Sequence, residues 1–197
     1  MIFIVGLALT VWAIPLAIPH LSLGWLTGSQ AAWYLIRSSG IVAYLLLAAS
    51  TIWGLLLSTK LLKKAVPPAV SLAMHNYLSW GAIGLSAIHA LLLLADKYYT
   101  FSIAHLLIPF ISPFSPAAVG AGIIAFYIML LTAGSIYFRK QMGQKRWRTL
   151  HYLTFVAFIL LTLHGWAAGT DQVQLAAMYV VSGASTLFLT VYRVLSR

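Results

Sequence analysis

Apolar residues run along this chain in long blocks instead of alternating with polar ones. A helix needs about 20 consecutive apolar residues to cross a bilayer. Six blocks are close to that length, at residues 1–19, 31–58, 70–95, 118–138, 150–168 and 173–192. The pattern therefore predicts an all-α integral membrane bundle of six transmembrane helices, folded as a single domain over residues 1–197.

The composition agrees with a membrane protein. Of the 197 residues, 62% are hydrophobic and only 7% are charged, whereas a soluble domain carries about 25% charged residues. The first block has no basic N-terminal stretch and no small-residue cleavage site, so we interpret it as an uncleaved span. We expect the lipid bilayer as a partner, and the bacterial inner membrane as the location.

The net charge of +10 indicates orientation here, and not a nucleic-acid partner, because basic residues collect in the cytoplasmic connections of membrane proteins. With both termini cytoplasmic, one side of the membrane keeps only Asp96, Lys97 and Asp171. We call this side outer and the opposite side inner. The inner side then has Lys60, Lys63, Lys64, Arg139, Lys140, Lys145, Arg146, Arg148, Arg193 and Arg197.

Four histidines lie inside the apolar blocks, where a polar side chain is costly unless something binds it. The third block contains His75 and His89, and the fifth contains His151 and His164. These two blocks cross the membrane in the same direction, so their histidines should meet at matching depths. We call His75 and His151 the inner pair, and His89 and His164 the outer pair.

Histidine is the main metal ligand that this chain offers, because it has no cysteine and only two acidic residues. The histidines of each block are separated by about 20 Å along a helix, so the pairs would stack across the membrane. Such pairs fit two b-type haems, bound non-covalently. Zinc is disfavoured because it takes three or four protein ligands. Hydrogen-bonded or proton-relaying histidines are the remaining alternatives.

Helix phase sets one condition on this arrangement. His151 and His164 are 13 residues apart, which places them about 140° apart around an ideal helix. The fifth span therefore needs a tilt, a local bulge or haems set at different angles.

Two arginines are candidate contacts for haem propionates. Arg37 lies six residues inside the second block, at a depth similar to His89, and an arginine there needs an anion. A propionate could accept two hydrogen bonds from the planar guanidinium of Arg37. The alternative is that the side chain extends to the membrane interface, where its charge is hydrated. Arg148 precedes His151 by three residues and could reach the inner propionates, although it also fits a purely topological role.

Residues 31–192 contain three segments that resemble the ferric reductase-like transmembrane domain family. They read "LIRSSGIVAYLLL", "HNYLSWGAIGLSAIH" and "GQKRWRTLHYLTFVAFILLTLH". Relatives in that family include NADPH oxidases, metalloreductases and the haem-binding subunit of the methionine sulfoxide reductase system. The resemblance implies haem b ligation by the inner and outer pairs. That last subunit typically lacks a histidine at the position of His75, so its presence here favours two complete pairs.

The predicted function is a transmembrane cytochrome that passes electrons to an outer-side acceptor or partner subunit. No Gly-rich phosphate loop occurs up to Arg197, and no flavin or quinone site is evident. Electrons would then come from a separate flavoprotein or quinol. The alternatives are an accessory subunit of a larger redox complex and a single-haem subunit. A haem-free transporter is disfavoured by the lack of intramembrane acids and of an inverted repeat.

The long outer connection after the third block is rich in aromatic residues and reads "DKYYTFSIAHLLIPFISPFSP". It would lie on the membrane interface, as amphipathic segments do, or fold back over the bundle and cover a site.

Overall fold

The computed structural model describes residues 30–59, 61 and 65–196, and within them every regular element is a helix. The all-α prediction is confirmed for this part of the chain. The helices are α1 (Ala31–Thr59), α2 (Pro68–Leu92), α3 (Ile103–Leu107), α4 (Pro116–Gly134), α5 (Arg139–Met142), α6 (Gln144–His151), α7 (Leu153–Ala168) and α8 (Gln172–Leu195). Short 3₁₀ segments extend α2 over Leu93–Ala95 and join α4 to α5 over Ser135–Phe138.

Five helical stretches in the described residues are long and apolar enough to cross a membrane, which is the architecture of a multi-pass membrane protein. They match the second to sixth predicted blocks. The stretch that matches the fifth block begins earlier than predicted, at Gln144, because the basic segment before His151 is also helical. The predicted first block, residues 1–19, lies outside the described residues. The five stretches are Ala31–Thr59, Pro68–Ala95, Pro116–Met142, Gln144–Ala168 and Gln172–Leu195.

Small residues let the central helices pack closely. α1 packs along α2 and also contacts α7 and α8, while α4 packs along α7. Ala82, Ala125 and Ala157, on three different helices, have no exposed surface. Small side chains of this kind allow helix backbones in membranes to approach closely. With Tyr44 and Phe158 they belong to one core cluster, which lies midway along the helices.

The helix that contains His151 is interrupted directly after it. The N–H of Tyr152 donates to the carbonyls of Arg148 and Thr149, and the N–H of Phe155 donates to the carbonyl of Tyr152, three residues back. A 3₁₀-type turn advances about 120° per residue instead of 100°. The interruption therefore reduces the angular offset between His151 and His164, which is one of the ways in which the 13-residue spacing can be accommodated.

Candidate functional site

The four intramembrane histidines meet in the two predicted pairs. The ring centres are 6.1 Å apart in the inner pair and 6.2 Å apart in the outer pair, with the ring planes at 70° and 79°. Two imidazoles that bind one metal from opposite sides, each through a nitrogen at about 2 Å, have ring centres about 6 Å apart. The spatial pairing is thus confirmed, at a separation that suits a shared metal.

Both histidines of the outer pair are oriented by backbone hydrogen bonds. His89 Nδ1 donates to the carbonyl of Ile36 over 2.8 Å, and His164 Nδ1 donates to the carbonyl of Ala118 over 2.9 Å. Because a carbonyl only accepts hydrogen bonds, Nδ1 carries the proton and Nε2 keeps its lone pair. This is the arrangement that metal-binding histidines adopt, and it raises the basicity of the ligand.

The inner pair is only half oriented in this way. His75 Nδ1 donates to the carbonyl of Ser50 over 3.1 Å, but His151 Nδ1 is buried and has no hydrogen-bond partner among the described residues. The indole ring of Trp147 stacks on His151, with ring centres 5.1 Å apart and planes at 21°. Packing therefore holds the His151 ring, whereas a hydrogen bond holds the other three.

A cavity of about 340 Å³ opens beside the outer pair. Pockets for small molecules and cofactors typically begin at about 300 Å³. Both histidines of the outer pair and Arg37 line the cavity. The outer connection also contributes to the lining, so it folds back over the bundle, which is one of its two predicted positions. Its lining residues are Asp96, Tyr98, Tyr99, Phe101, Leu106 and Phe114.

Arg37 lies at the depth of the outer pair, as expected, and it has a protein anion as its partner. Its guanidinium pairs with the carboxylate of Asp171 and donates a hydrogen bond to Thr170. The charge also lies 4.6 Å from the ring centre of Trp33. Sequence reasoning missed this pairing, although Asp171 is one of only two acids in the chain and lies at the outer end of the fifth span.

At the inner end, Arg148 and Arg193 differ in their surroundings. The side chain of Arg148 is exposed, and its guanidinium makes no hydrogen bond or ion pair with the described residues. Arg193, which sequence reasoning did not select, lies 5.6 Å from the ring centre of Tyr152 and donates to its hydroxyl over 3.4 Å. Tyr152 follows His151 directly, so Arg193 is a cation anchored beside the inner pair.

The described residues contain no group of three or more His, Asp or Glu side chains that could hold a metal ion. His105, predicted in the outer connection, caps α3 by accepting the N–H of Ser102 at its Nδ1 over 3.2 Å. His20, the other histidine predicted in an outer connection, lies outside the described residues.

Comparison with protein-family models, with curated proteins and with solved structures found no match for this chain. Its function must therefore be inferred from the geometry of its own side chains.

Proposed function

We propose that this protein is a two-haem b-type cytochrome that passes electrons across a membrane, as the electron-transfer subunit of a membrane oxidoreductase. The observation that carries the proposal is that two histidine pairs lie one above the other between the same two spans, Pro68–Ala95 and Gln144–Ala168, with ring centres 6.1 and 6.2 Å apart within the pairs. A bound haem would supply a one-electron redox change at an iron held by the macrocycle and two imidazoles.

The donor set favours haem over a bare metal ion. Each pair offers two histidines, and these would hold one haem iron whose remaining donors the macrocycle would supply. Zinc would need three or four protein ligands, and among the described residues only two histidines meet at each site. The apolar, aromatic cavity beside the outer pair suits a flat organic ring.

The protein's own residues would hold the cofactors apart and keep water from the space between them. The core cluster that includes Tyr44, Ala82 and Phe158 is buried between the two pairs. If both histidines of a pair held it, a haem would supply electron transfer instead of a place for substrate to bind.

The charge asymmetry supports a six-span topology with both termini cytoplasmic, and we place the protein in the bacterial inner membrane. A separate flavoprotein or quinol would donate electrons on the inner side, and an acceptor or partner subunit would take them on the outer side. The resemblance of three segments to the ferric reductase-like family implies the same role, although no family model matches this chain.

A single-haem subunit is the second candidate, and the state of His151 favours it. Its Nδ1 has no acceptor among the described residues, so the inner pair is the less completely built site. The inner pair would then serve packing alone.

A reduced-minus-oxidised spectrum and a pyridine haemochrome assay on the purified protein test the proposal. We expect close to two haems per chain, extractable by acid acetone. A ratio near one would favour the single-haem subunit, and no haem would contradict both readings. His105→Ala is the matched control, because this histidine caps a short helix and should leave the ratio unchanged.

A further inference from the structure

Three helical glycines lie directly against three of the four paired histidines. A methyl group built on any of them would lie between 2.8 and 3.1 Å from the nearest ring atom, closer than carbon atoms pack without movement. A side chain in place of Gly122 would force the ring to shift, and one in place of Gly40 or Gly54 would require the ring to move by a few tenths of an ångström. The contacts are Gly40 with His89, Gly54 with His75, and Gly122 with His164.

These are the same three histidines that donate Nδ1–H to a backbone carbonyl, and the offset is the same each time. Each accepting carbonyl lies four residues before the glycine, at Ile36, Ser50 and Ala118. In an α-helix the Cα–Cβ bonds tilt toward the N-terminus, so a side chain at position i+4 lies over position i. A glycine at i+4 therefore leaves the carbonyl at i open to a ring from the neighbouring helix.

The helix register explains why two such contacts occur on α1. The acceptors Ile36 and Ser50 are 14 residues apart, as are His75 and His89 on the antiparallel helix α2. One register therefore satisfies both histidines at once, one in each pair.

The fourth contact is missing because α4 changes at the corresponding place. His151 lies 13 residues before His164, and the position 13 residues after Gly122 is Ser135. There the helix becomes 3₁₀, and the Ser135 hydroxyl donates to the carbonyl of Thr132 over 2.7 Å. His151 accordingly has no acceptor among the described residues.

We propose that Gly40, Gly54 and Gly122 are positioning residues that fix the tautomer and direction of three haem-binding histidines. Each glycine exposes a carbonyl to Nδ1, and this directs the free lone pair of Nε2 toward the partner histidine. The inference rests on the proposed haem function. Because the hydrogen bond raises ligand basicity, it favours the oxidised iron and lowers the midpoint potential of that site.

The test compares alanine variants by haem content and by redox titration resolving two midpoints, with the sites assigned from single-histidine variants. Gly40→Ala and Gly122→Ala should raise the outer midpoint or remove the outer haem, and leave the inner one unchanged. Gly54→Ala should do the same to the inner haem alone. Gly122→Ala should have the largest effect, because its methyl group would lie closest to a ring, at 2.8 Å.

Control variants separate this role from general packing. Methyl groups at three other helical glycines would meet nothing within 4 Å, and Gly81→Ala would crowd only Leu46, at 3.3 Å. All four controls should keep both haems at wild-type midpoints. If Gly40→Ala and Gly122→Ala titrate like the controls, or shift both haems equally, the inference is overturned. The three control variants whose methyl group would meet nothing within 4 Å are Gly84→Ala, Gly134→Ala and Gly183→Ala.

A second measurement does not depend on haem. In ¹⁵N-histidine-labelled protein prepared without haem, nitrogen chemical shifts should show the Nδ1–H tautomer for His75, His89 and His164, and each glycine variant should lose this signature at one of them. A wild type that binds no haem but shows these tautomers would refute the proposed function and keep the positioning role. A mixture of tautomers at all three in the wild type would refute the positioning role.

Discussion

The outer and inner histidine pairs have almost the same ring separation, yet the protein holds them differently. In the outer pair, both rings donate to backbone carbonyls and lie against glycines. In the inner pair, His75 is held this way, while His151 is held by the stacked ring of Trp147. Similar ligand spacing therefore does not imply equal sites, because neighbouring helices orient three of the rings, whereas a residue of its own helix holds His151.

Removal of a ligand should have the largest effect and should divide the pairs cleanly. His89→Ala or His164→Ala should lower the haem content from two per chain to about one by loss of the outer haem, because the iron would lack an axial ligand. His75→Ala or His151→Ala should remove the inner haem instead. Haemochrome assays and low-temperature spectra would show which haem is lost. A His164→Ala protein that kept both haems with unchanged spectra would break the pairing.

The next effect concerns how firmly each intact site keeps its haem. Groups that hydrogen-bond to a metal-binding histidine typically change metal affinity by about 10–100-fold, and His151 has no such partner among the described residues. The inner haem should therefore leave first, at least several-fold faster than the outer haem, when the protein is mixed with excess apomyoglobin. Absorbance changes would follow the transfer, and the two single-haem variants would assign the phases. Faster loss of the outer haem would reverse the comparison.

The charge pair between Arg37 and Asp171 should tune the outer site alone. A charge near a partly buried site is worth about 1–2 kcal/mol, or about 40–90 mV for a one-electron couple. Arg37→Ala should lower the outer midpoint, because loss of a positive charge favours the more positive, oxidised iron. Asp171→Asn should raise it for the opposite reason, and Arg37→Lys should shift it less than Arg37→Ala.

The double variant of Arg37→Ala with Asp171→Asn decides what Arg37 binds. If the ion pair is its main partner, the two shifts cancel and the outer midpoint returns close to wild type. If Arg37 also holds a haem propionate, as the sequence predicts, the double variant stays below wild type. Equal midpoints in wild type and Arg37→Ala would remove this residue from the cofactor site.

The features that depend on residue spacing along one helix could be predicted from the sequence. Long apolar blocks gave the five described spans, and the intervals from His75 to His89 and from His151 to His164 gave the two pairs. The helix phase required a tilt, a local irregularity or haems at different angles, and the structure has an irregularity at Tyr152.

Contacts between helices could not be predicted in the same way. The position of Gly40 against His89, and the salt bridge of Arg37 with Asp171, depend on the register and rotation of neighbouring helices. Local sequence does not specify either of them. The 14-residue spacing of Ile36 and Ser50 on α1 equals that of His75 and His89, but it indicates the paired hydrogen bonds only once the contacts between the helices are known.

The smallest expected shift in midpoint potential concerns the inner site and should distinguish Arg193 from Arg148. Arg193 is anchored on Tyr152, next to His151, whereas Arg148 is exposed and its charge is screened over about 8–10 Å by physiological salt. Arg193→Ala should therefore lower the inner midpoint modestly, by less than the shift expected at Arg37, while Arg148→Ala leaves both midpoints unchanged. Redox titrations at low and high salt would check this, since the Arg193 shift should shrink as salt rises. A shift in Arg148→Ala alone would restore the sequence-based choice of Arg148 as the inner propionate contact.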